Sequence, residues 1–415
     1  MTLKPQSNKK ELEAKFHQIE LELNAILEIT QAINNNAAED SLYAMYKFTL
    51  RGNLRIEKLA LYVLDDWWEC KVSFGTSFNF HEIPLEPDVL AHLQDVTRTS
   101  LLKFDNEAFY TFDMLIPILH KDRVLAYVFF NSSFIRESIK EETRFIQALS
   151  NIIIVAIENK KLVRKQIKQE AFKKEMEIAK QVQSLLFPRQ LPYDKNIKIK
   201  ATYFPHDLIG GDYYDYIPLT EEKFILCIAD VSGKGIPAAL LMSNFQASLR
   251  TLVRQTDSLK QIVEELNLAI YENARGEHFI TSFIALYDKA RYTLNYINAG
   301  HNPAFLYDFQ SNQASLLDSG TTILGSFSPL PFLKETTINN LRDFFLFNYT
   351  DGVTEVINPD DEQFGLERLI EFLKTRKRID LGEIHGNLIS RINAFKKNKN
   401  YLDDITLLSC RIHNV

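Results

Sequence analysis

The chain has 415 residues, 46% of them hydrophobic and 25% charged, with a formal net charge of −6. That length leaves room for two or three domains with cores of their own, and the mild acidity gives no reason to expect nucleic acid or an anionic membrane surface as partner. Three cysteines without paired spacing (Cys70, Cys227, Cys410) exclude a disulfide framework and a Cys-based zinc module and fit a reducing compartment. The polar start, Met1 to Lys15, is no secretory signal, and no apolar run nears the roughly 20 residues of a spanning helix. A cytoplasmic protein is expected.

Lys9 to Ile33 reads as a charged helix with a narrow apolar stripe, Leu12, Phe16, Ile19, Leu23, Ile26 and Ile29. From about Asn34 to Glu158 the pattern is mixed. A helix (Ser41 to Arg51) leads to a strand (Lys58 to Leu64). A hairpin follows, Met114 to Leu119 and Val124 to Asn131 around His120-Lys121-Asp122-Arg123, and then a closing helix, Lys140 to Asn159. This predicts a small α+β sensor domain. Glu158 to Phe187 is helical again. Phe172, Met176, Ala179, Val182 and Leu186 form a short coiled-coil-like seam, and Pro188 and Pro192 end it. The segment reads either as a solvated spacer or as a signalling helix that joins two copies into a homodimer.

The remainder alternates strands with amphipathic helices. Helices are expected over Pro237 to Arg254, Ser258 to Ala274, Gly365 to Lys374 and Leu381 to Phe395. Pro237 suits the first helical position, and Ser258 and Gln261 have capping-box spacing. Strands are expected over Phe279 to Asp288, Thr293 to Asn298, Ala304 to Phe309, Asp343 to Tyr349 and Ile405 to Ile412. The apolar run Ile225 to Ala229 is a further strand, ending on Asp230 before a glycine turn.

Four acids sit at such strand ends: Asp212 after Gly210-Gly211, Asp230, Asp351 in Thr350-Asp351-Gly352, and Asp403 in Leu402-Asp403-Asp404. If they meet, repulsion decides the chemistry. Two ionised carboxylates about 4 Å apart repel by about 4 kcal/mol at an effective dielectric near 20, so four stay charged only with cations between them. Oxygen-only ligands select Mg²⁺ or Mn²⁺ over Zn²⁺, and two such ions ~3.5–4 Å apart have the geometry of two-metal hydrolysis. Alternation along the strand puts Asp212 and Tyr214 on one face and Asp215 with Tyr213 on the other. Asp212 is then the direct ligand, and Asp215 supports it or closes a turn.

Residues 210–215, Asp230 to Gly235, Asn298-Ala299-Gly300-His301-Asn302-Pro303, Tyr349 to Glu355 and Asp403-Asp404-Ile405-Thr406 resemble, in order, the motifs of SpoIIE/RsbU-type serine phosphatases of the protein phosphatase 2C (PPM) superfamily. The lead-in Ile178 to Pro188 looks like the regulatory helix of that family. Leu115-Ile116-Pro117-Ile118 and Ala156-Ile157-Glu158-Asn159 resemble a GAF domain in pattern, without its cyclic-nucleotide signature. The resemblance implies an α+β chain: an N-terminal helix (1–33), a GAF-like sensor (34–158), a helical coiled-coil linker (159–190) and a PPM-type β-sandwich flanked by helices (191–415). It implies two Mn²⁺ or Mg²⁺ ions, with Asp212 and Asp230 bridging, the Val231 carbonyl on one ion, and Asp351 and Asp403 on the other. It also implies attack of a metal-bound hydroxide on a phosphorylated anti-sigma-factor antagonist of STAS type, under control of an unknown signal at the sensor.

Other residues carry two readings each. Asp403 is favoured over its neighbour Asp404. His301 is a general acid or a turn-former, the latter favoured. Lys234 steers phosphate or is simply solvated, and Ser232 lacks the base a nucleophile needs. Gly211, Gly233 and Gly352 allow backbone to approach ions or phosphate. No Cys precedes an Arg by six positions, Ser232-Gly233-Lys234-Gly235 lacks the rest of a Walker loop, and no kinase motif is present. The rival class is a partner-switching module that binds phosphoprotein without cleaving it.

Overall fold

The computed structural model describes residues 5–52, 56–90, 93–121, 123–131, 139–376 and 380–413; Asp122 of the expected hairpin turn and the first four residues lie outside them. The chain divides into two units, Met1–Glu170 and Ala171–Val415.

The first unit holds α1 (Pro5–Asn34), α2 (Glu39–Gly52), β1 (Lys58–Leu64), β2 (Trp68–Phe74), the single turn α3 (Pro87–Leu90), β3 (Thr97–Arg98), β4 (Met114–His120), β5 (Arg123–Asn131) and the first part of α4 (Ile139–Ser184). Its strands form one antiparallel sheet in the order β2-β1-β5-β4-β3. Because side chains alternate across a strand, β1 serves two cores. Leu59, Leu61 and Val63 pack with Ile29 of α1, Tyr46 and Leu50 of α2, and Leu149 and Ile153 of α4. Ala60 and Tyr62 pack on the opposite face under a cap that includes Phe80, Phe104, Phe109 and Phe112. The Tyr62 hydroxyl donates to the Phe80 and Ile83 carbonyls at 3.1 and 2.8 Å and ties that cap down.

Two boundaries differ from expectation. The N-terminal helix is no separate arm, because Ala25 and Ile29 are buried in the first unit's core; only its outer stripe, Leu12, Phe16, Ile19 and Leu23, is 56–71% exposed. The closing helix and the helical linker are one 46-residue element, α4, with no Gly or Pro inside it to stop the backbone ladder. Phe172 and Val182 of the expected seam are exposed.

The second unit holds β6 (Ile197–Phe204), β7 (Tyr213–Pro218), β8 (Lys223–Val231), α5 (Ile236–Leu252), α6 (Leu259–Ala274), β9 (Ile280–Asp288), β10 (Thr293–Ala299), β11 (Ala304–Asp308), β12 (Gln313–Leu317), β13 (Gly320–Thr321), β14 (Thr336–Ile338), β15 (Phe344–Tyr349), α7 (Gly365–Arg376), α8 (Leu381–Lys396) and β16 (Ile405–Ile412). One sheet runs β13-β10-β9-β8-β7, with β14 also on β10; the other runs β12-β11-β15-β16-β6. The sheets face each other. Leu226 and Ile228 of β8 and Phe283 of β9 meet Leu346 of β15 and Leu408 and Cys410 of β16 between them.

Helices cover both outer faces. Ile225, Cys227 and Ala229 of β8 pack on Met242, Phe245 and Leu249 of α5 and Ile262 of α6. Phe345 and Phe347 of β15 pack on Phe372 of α7 and Ile384 and Leu388 of α8. Strand β8 is apolar from Phe224 to Ala229 because both its faces are buried there, and each large aliphatic or aromatic side chain contributes about 1.5–3 kcal/mol on burial. Helix α5 begins one residue earlier than expected, with Gly235 as N-cap and Pro237 second in its first turn. The Ser258 hydroxyl accepts from the Gln261 amide and opens α6.

Candidate active site

The alternation that builds the inter-sheet core also places the site. Along β8, Leu226 and Ile228 point between the sheets, and Asp230 continues that face at the end of the strand, opposite Thr281 of β9. Before β7, Asp212 shares the face of Tyr214, which packs in the same core. On the other sheet, Thr350 follows β15 in step with Leu346, and Thr406 lies in β16 in step with Leu408. Both hydroxyls donate to Oδ2 of Asp212, Thr350 at 2.8 Å and Thr406 at 2.5 Å. Asp212 is 1% exposed. Its position is therefore fixed from both sheets.

The neighbouring acids Asp403 and Asp404 have opposite tasks. Oδ1 of Asp404 accepts from the His206 amide at 2.7 Å, and Oδ2 accepts from the Gly211 amide at 2.8 Å and the Asp212 amide at 3.4 Å. Asp404 thus clamps the Gly210–Asp212 loop to the head of β16. Asp403 faces the opening, where Lys234 Nζ lies 3.0 Å from its Oδ2 and also donates to the Leu402 carbonyl. Gly352 passes so close beneath that a Cβ there would lie 1.9 Å from the Asp404 carbonyl oxygen, an approach only glycine permits. Asp351 begins the turn that contains it.

A cleft opens among these segments, lined by His206, Gly211, Asp230, Val231, Gly233, Lys234, Asp403 and Asp404 together with the residues between them. Burial, then repulsion from Asp230 and Asp404, raises the Asp212 carboxyl well above the usual range. Asp230 is pushed to about 8 by burial and by Asp351, Asp403 and Asp404. Asp351 rises to about 6 through burial, Glu355 and Asp403. These acids resist ionising together, which is the condition a hard cation relieves. Among the described residues, no three His, Cys, Asp or Glu side chains converge tightly enough to cage one ion. The expected meeting of the four acids is a shared end of the sandwich rather than a closed cage. The fit to Mg²⁺ or Mn²⁺ thus lies in donor chemistry: oxygen ligands only, mutually repelling and largely buried.

The remaining residues sort by what they touch. Asp215 is neither a turn acid nor a support for Asp212. It lies on the helix side with Tyr213, where Arg250 of α5 binds it through Nε and Nη2, both at 2.8 Å, and the Tyr213 hydroxyl also donates to it. His301 is structural: its ring pairs with Thr281 Oγ1 at 2.8 Å, its amide donates to Asn298 Oδ1, and burial lowers its pKa to about 4. Ser232 Oγ accepts from the Phe279 amide at 2.9 Å, which ties the turn after β8 to the segment leading into β9. Lys234, expected to steer phosphate or to stand free, pairs with Asp403 instead. Gly211 lends its amide to Asp404, and Gly233 takes a φ of +94° in the turn after β8. The sequence reading missed Thr350, Thr406, Arg250 and Gln183. Gln183, near the end of α4, is buried and donates from Nε2 to the Gly210 carbonyl at 2.7 Å. The two threonines and Gln183 stand inside motifs already singled out; no local signal marked Arg250.

Helix-flanked, face-to-face sheets with acids at one end make up a fold of the PP2C kind. The SiaA-PP2C domain of Pseudomonas aeruginosa shares this fold, with a TM-score of 0.53 and 20% identity over 59% of this chain and 98% of that one. Residues 220–413 match the family described as Stage II sporulation protein E (SpoIIE). That match lies wholly within the second unit. The chain is 32% identical over 205 residues to phosphoserine phosphatase RsbU of Bacillus subtilis (strain 168), covering 49% of this chain and 61% of that protein. It is 30% identical over 283 residues to protein IcfG of Synechocystis sp. (strain ATCC 27184 / PCC 6803 / Kazusa), covering 60% and 43%. The chain therefore spans roughly half the length of these relatives. Among the described residues, no helix is long and apolar enough to cross a membrane.

Proposed function

We propose that the second unit is a cation-dependent protein-serine/threonine phosphatase acting on a phosphorylated anti-sigma-factor antagonist of STAS type. The observation that carries this reading is the gathering of Asp212, Asp230, Asp351 and Asp403 at one end of the sandwich, where burial and mutual repulsion raise the carboxyls of Asp212, Asp230 and Asp351. Asp212, Asp230, the Val231 carbonyl, Asp351 and Asp403 would hold two Mn²⁺ or Mg²⁺ ions. Such ions supply an activated water and neutralise phosphoryl charge. The chain's own contribution is positional. Thr350 and Thr406 orient Asp212, Asp404 fixes the loop carrying Gly211, and the Gly233 turn leaves the cleft open above Asp230.

The first unit is a GAF-like sensor in this reading, and the exposed stripes of α1 and α4 join two copies of the chain. Gln183 supplies the link between the end of α4 and the Gly210–Asp212 loop. The decisive experiment is Mn²⁺-dependent hydrolysis of p-nitrophenyl phosphate and a phosphoserine peptide, with Asp230→Asn and chelator as controls. Turnover lost in both controls supports a phosphatase. Binding of phosphopeptide without turnover would instead favour a non-catalytic module.

A further inference from the structure

Single exposed apolar side chains are ordinary on a protein surface. Around this cleft they are grouped. Leu208 is 37% exposed, between the lining residues Asp207 and Ile209. Ile236 (42%) follows the lining residue Gly235, and Leu240 (62%) stands one turn further along the same face of α5. Phe279 (38%) is paired by its backbone to Ser232, between Val231 and Gly233 of the lining turn. Leu402 (45%) immediately precedes Asp403. Four separate segments that line the cleft or pair with its lining thus each carry large exposed apolar side chains, a collar in outline around a polar, acidic floor.

We infer that this collar is a docking surface for a protein segment in which the phosphoserine is flanked by apolar side chains. The inference rests on the phosphatase reading above and names what the site selects. A small phosphomonoester would occupy the cleft alone and gain nothing from a rim. A nucleic acid would need several basic side chains beside the cleft to follow its backbone, whereas Lys234 is the one Lys or Arg among the described lining residues and is already paired with Asp403. A peptide or a loop of a folded protein has the reach to place its phosphate in the cleft and its neighbouring side chains on Leu208, Ile236 and Phe279. Apolar contacts of that kind discriminate by about ten-fold or more in kcat/KM for each well-filled position.

The test uses the full chain with Mn²⁺ and three probes: p-nitrophenyl phosphate, a synthetic phosphoserine peptide flanked by Leu, Val and Ile, and one flanked by Asp, Lys and Asn. The apolar peptide is expected to be cleaved with a kcat/KM about ten-fold or more above the polar one. The double variant Leu208→Ser, Ile236→Ser should reduce that advantage to about two-fold while changing p-nitrophenyl phosphate turnover by less than about two-fold. Phe279→Ser is a second variant on a different segment, and a melting curve for each variant reports folding. Equal rates on the two peptides, or an advantage untouched by either variant, overturns the collar and leaves the phosphatase reading standing. If the wild-type chain cleaves none of the three probes, the phosphatase reading itself falls.

Discussion

Arg250 holds Asp215 with both arms of its guanidinium, Nε to Oδ2 and Nη2 to Oδ1, each at 2.8 Å. The carboxylate is fully buried, while the arginine is 37% exposed at its outer edge. The pair ties β7, which follows Asp212, to α5, which follows the Gly233 turn. Removing one partner leaves an uncompensated buried charge, so Arg250→Met is expected to cost about 3 kcal/mol. Urea unfolding checks this, and a loss below about 1 kcal/mol would show that the pair is not holding the two elements together.

The paired acids at the head of β16 should separate cleanly on substitution. Asp404→Ala strips the acceptors from the His206, Gly211 and Asp212 amides and is expected to destabilise by about 2–3 kcal/mol. Asp403→Ala loses a half-exposed pair with Lys234 and one acceptor, for the Asp404 amide at 2.8 Å, and should cost about 1 kcal/mol or less. Calorimetric Mn²⁺ titration should nonetheless find weaker binding in Asp403→Ala. Equal melting losses in the two variants would contradict the assignment.

In chelator, Asp230→Asn should stabilise the protein. The folded-state carboxyl titrates near 8, far above its unfolded value, so folding at neutral pH must take up a proton. Stability of the metal-free chain accordingly falls as pH rises from about 4 to about 8. The asparagine variant loses the share of that dependence due to Asp230, while Asp212, Asp351 and Asp404 keep theirs, and it should be more stable to urea by about 2 kcal/mol at pH 7. Added Mn²⁺ should raise the wild-type melting temperature and leave the variant's unchanged.

His385 gives the opposite slope. It is buried in α8 with Nδ1 on Thr202 Oγ1 and Nε2 on Ser409 Oγ, both at 2.7 Å, and burial, aided by Lys200, lowers its pKa to about 3. The unfolded imidazole protonates near 6.5, so its contribution is intact at pH 7 and drains away as pH falls toward 3. The expected loss between pH 7 and pH 5 is about 2 kcal/mol. A His385→Gln variant should show a correspondingly shallower decline in acid, measured by denaturant midpoints across that range.

Much of the second unit was legible because its chemistry is local. The apolar runs of β8, β15 and β16 end on acids next to glycines, and strand alternation alone separates Asp212 from Asp215. What escaped depends on long-range packing. Arg250 lies 35 positions beyond Asp215 on a helix, and nothing near it signals a buried partner. Adjacent acids such as Asp403 and Asp404 look alike until the Gly210–Asp212 loop is folded against one of them. Strand β2 was missed although Trp68, Cys70, Val72 and Phe74 alternate with polar residues, a weak signal once Glu69 and Lys71 interrupt the apolar count. The join between the closing helix and the linker was read as a boundary because its apolar stripe fades, yet no Gly or Pro breaks the backbone there.

Thr350 and Thr406 both spend their hydroxyl protons on the same oxygen of Asp212. That leaves the carboxylate one atom to offer an incoming ion. Calcium gathers six to eight oxygens and often takes both from a single acid, whereas magnesium and manganese are satisfied with single-atom donors and retained waters. A carboxylate held in this way would suit magnesium or manganese better than calcium.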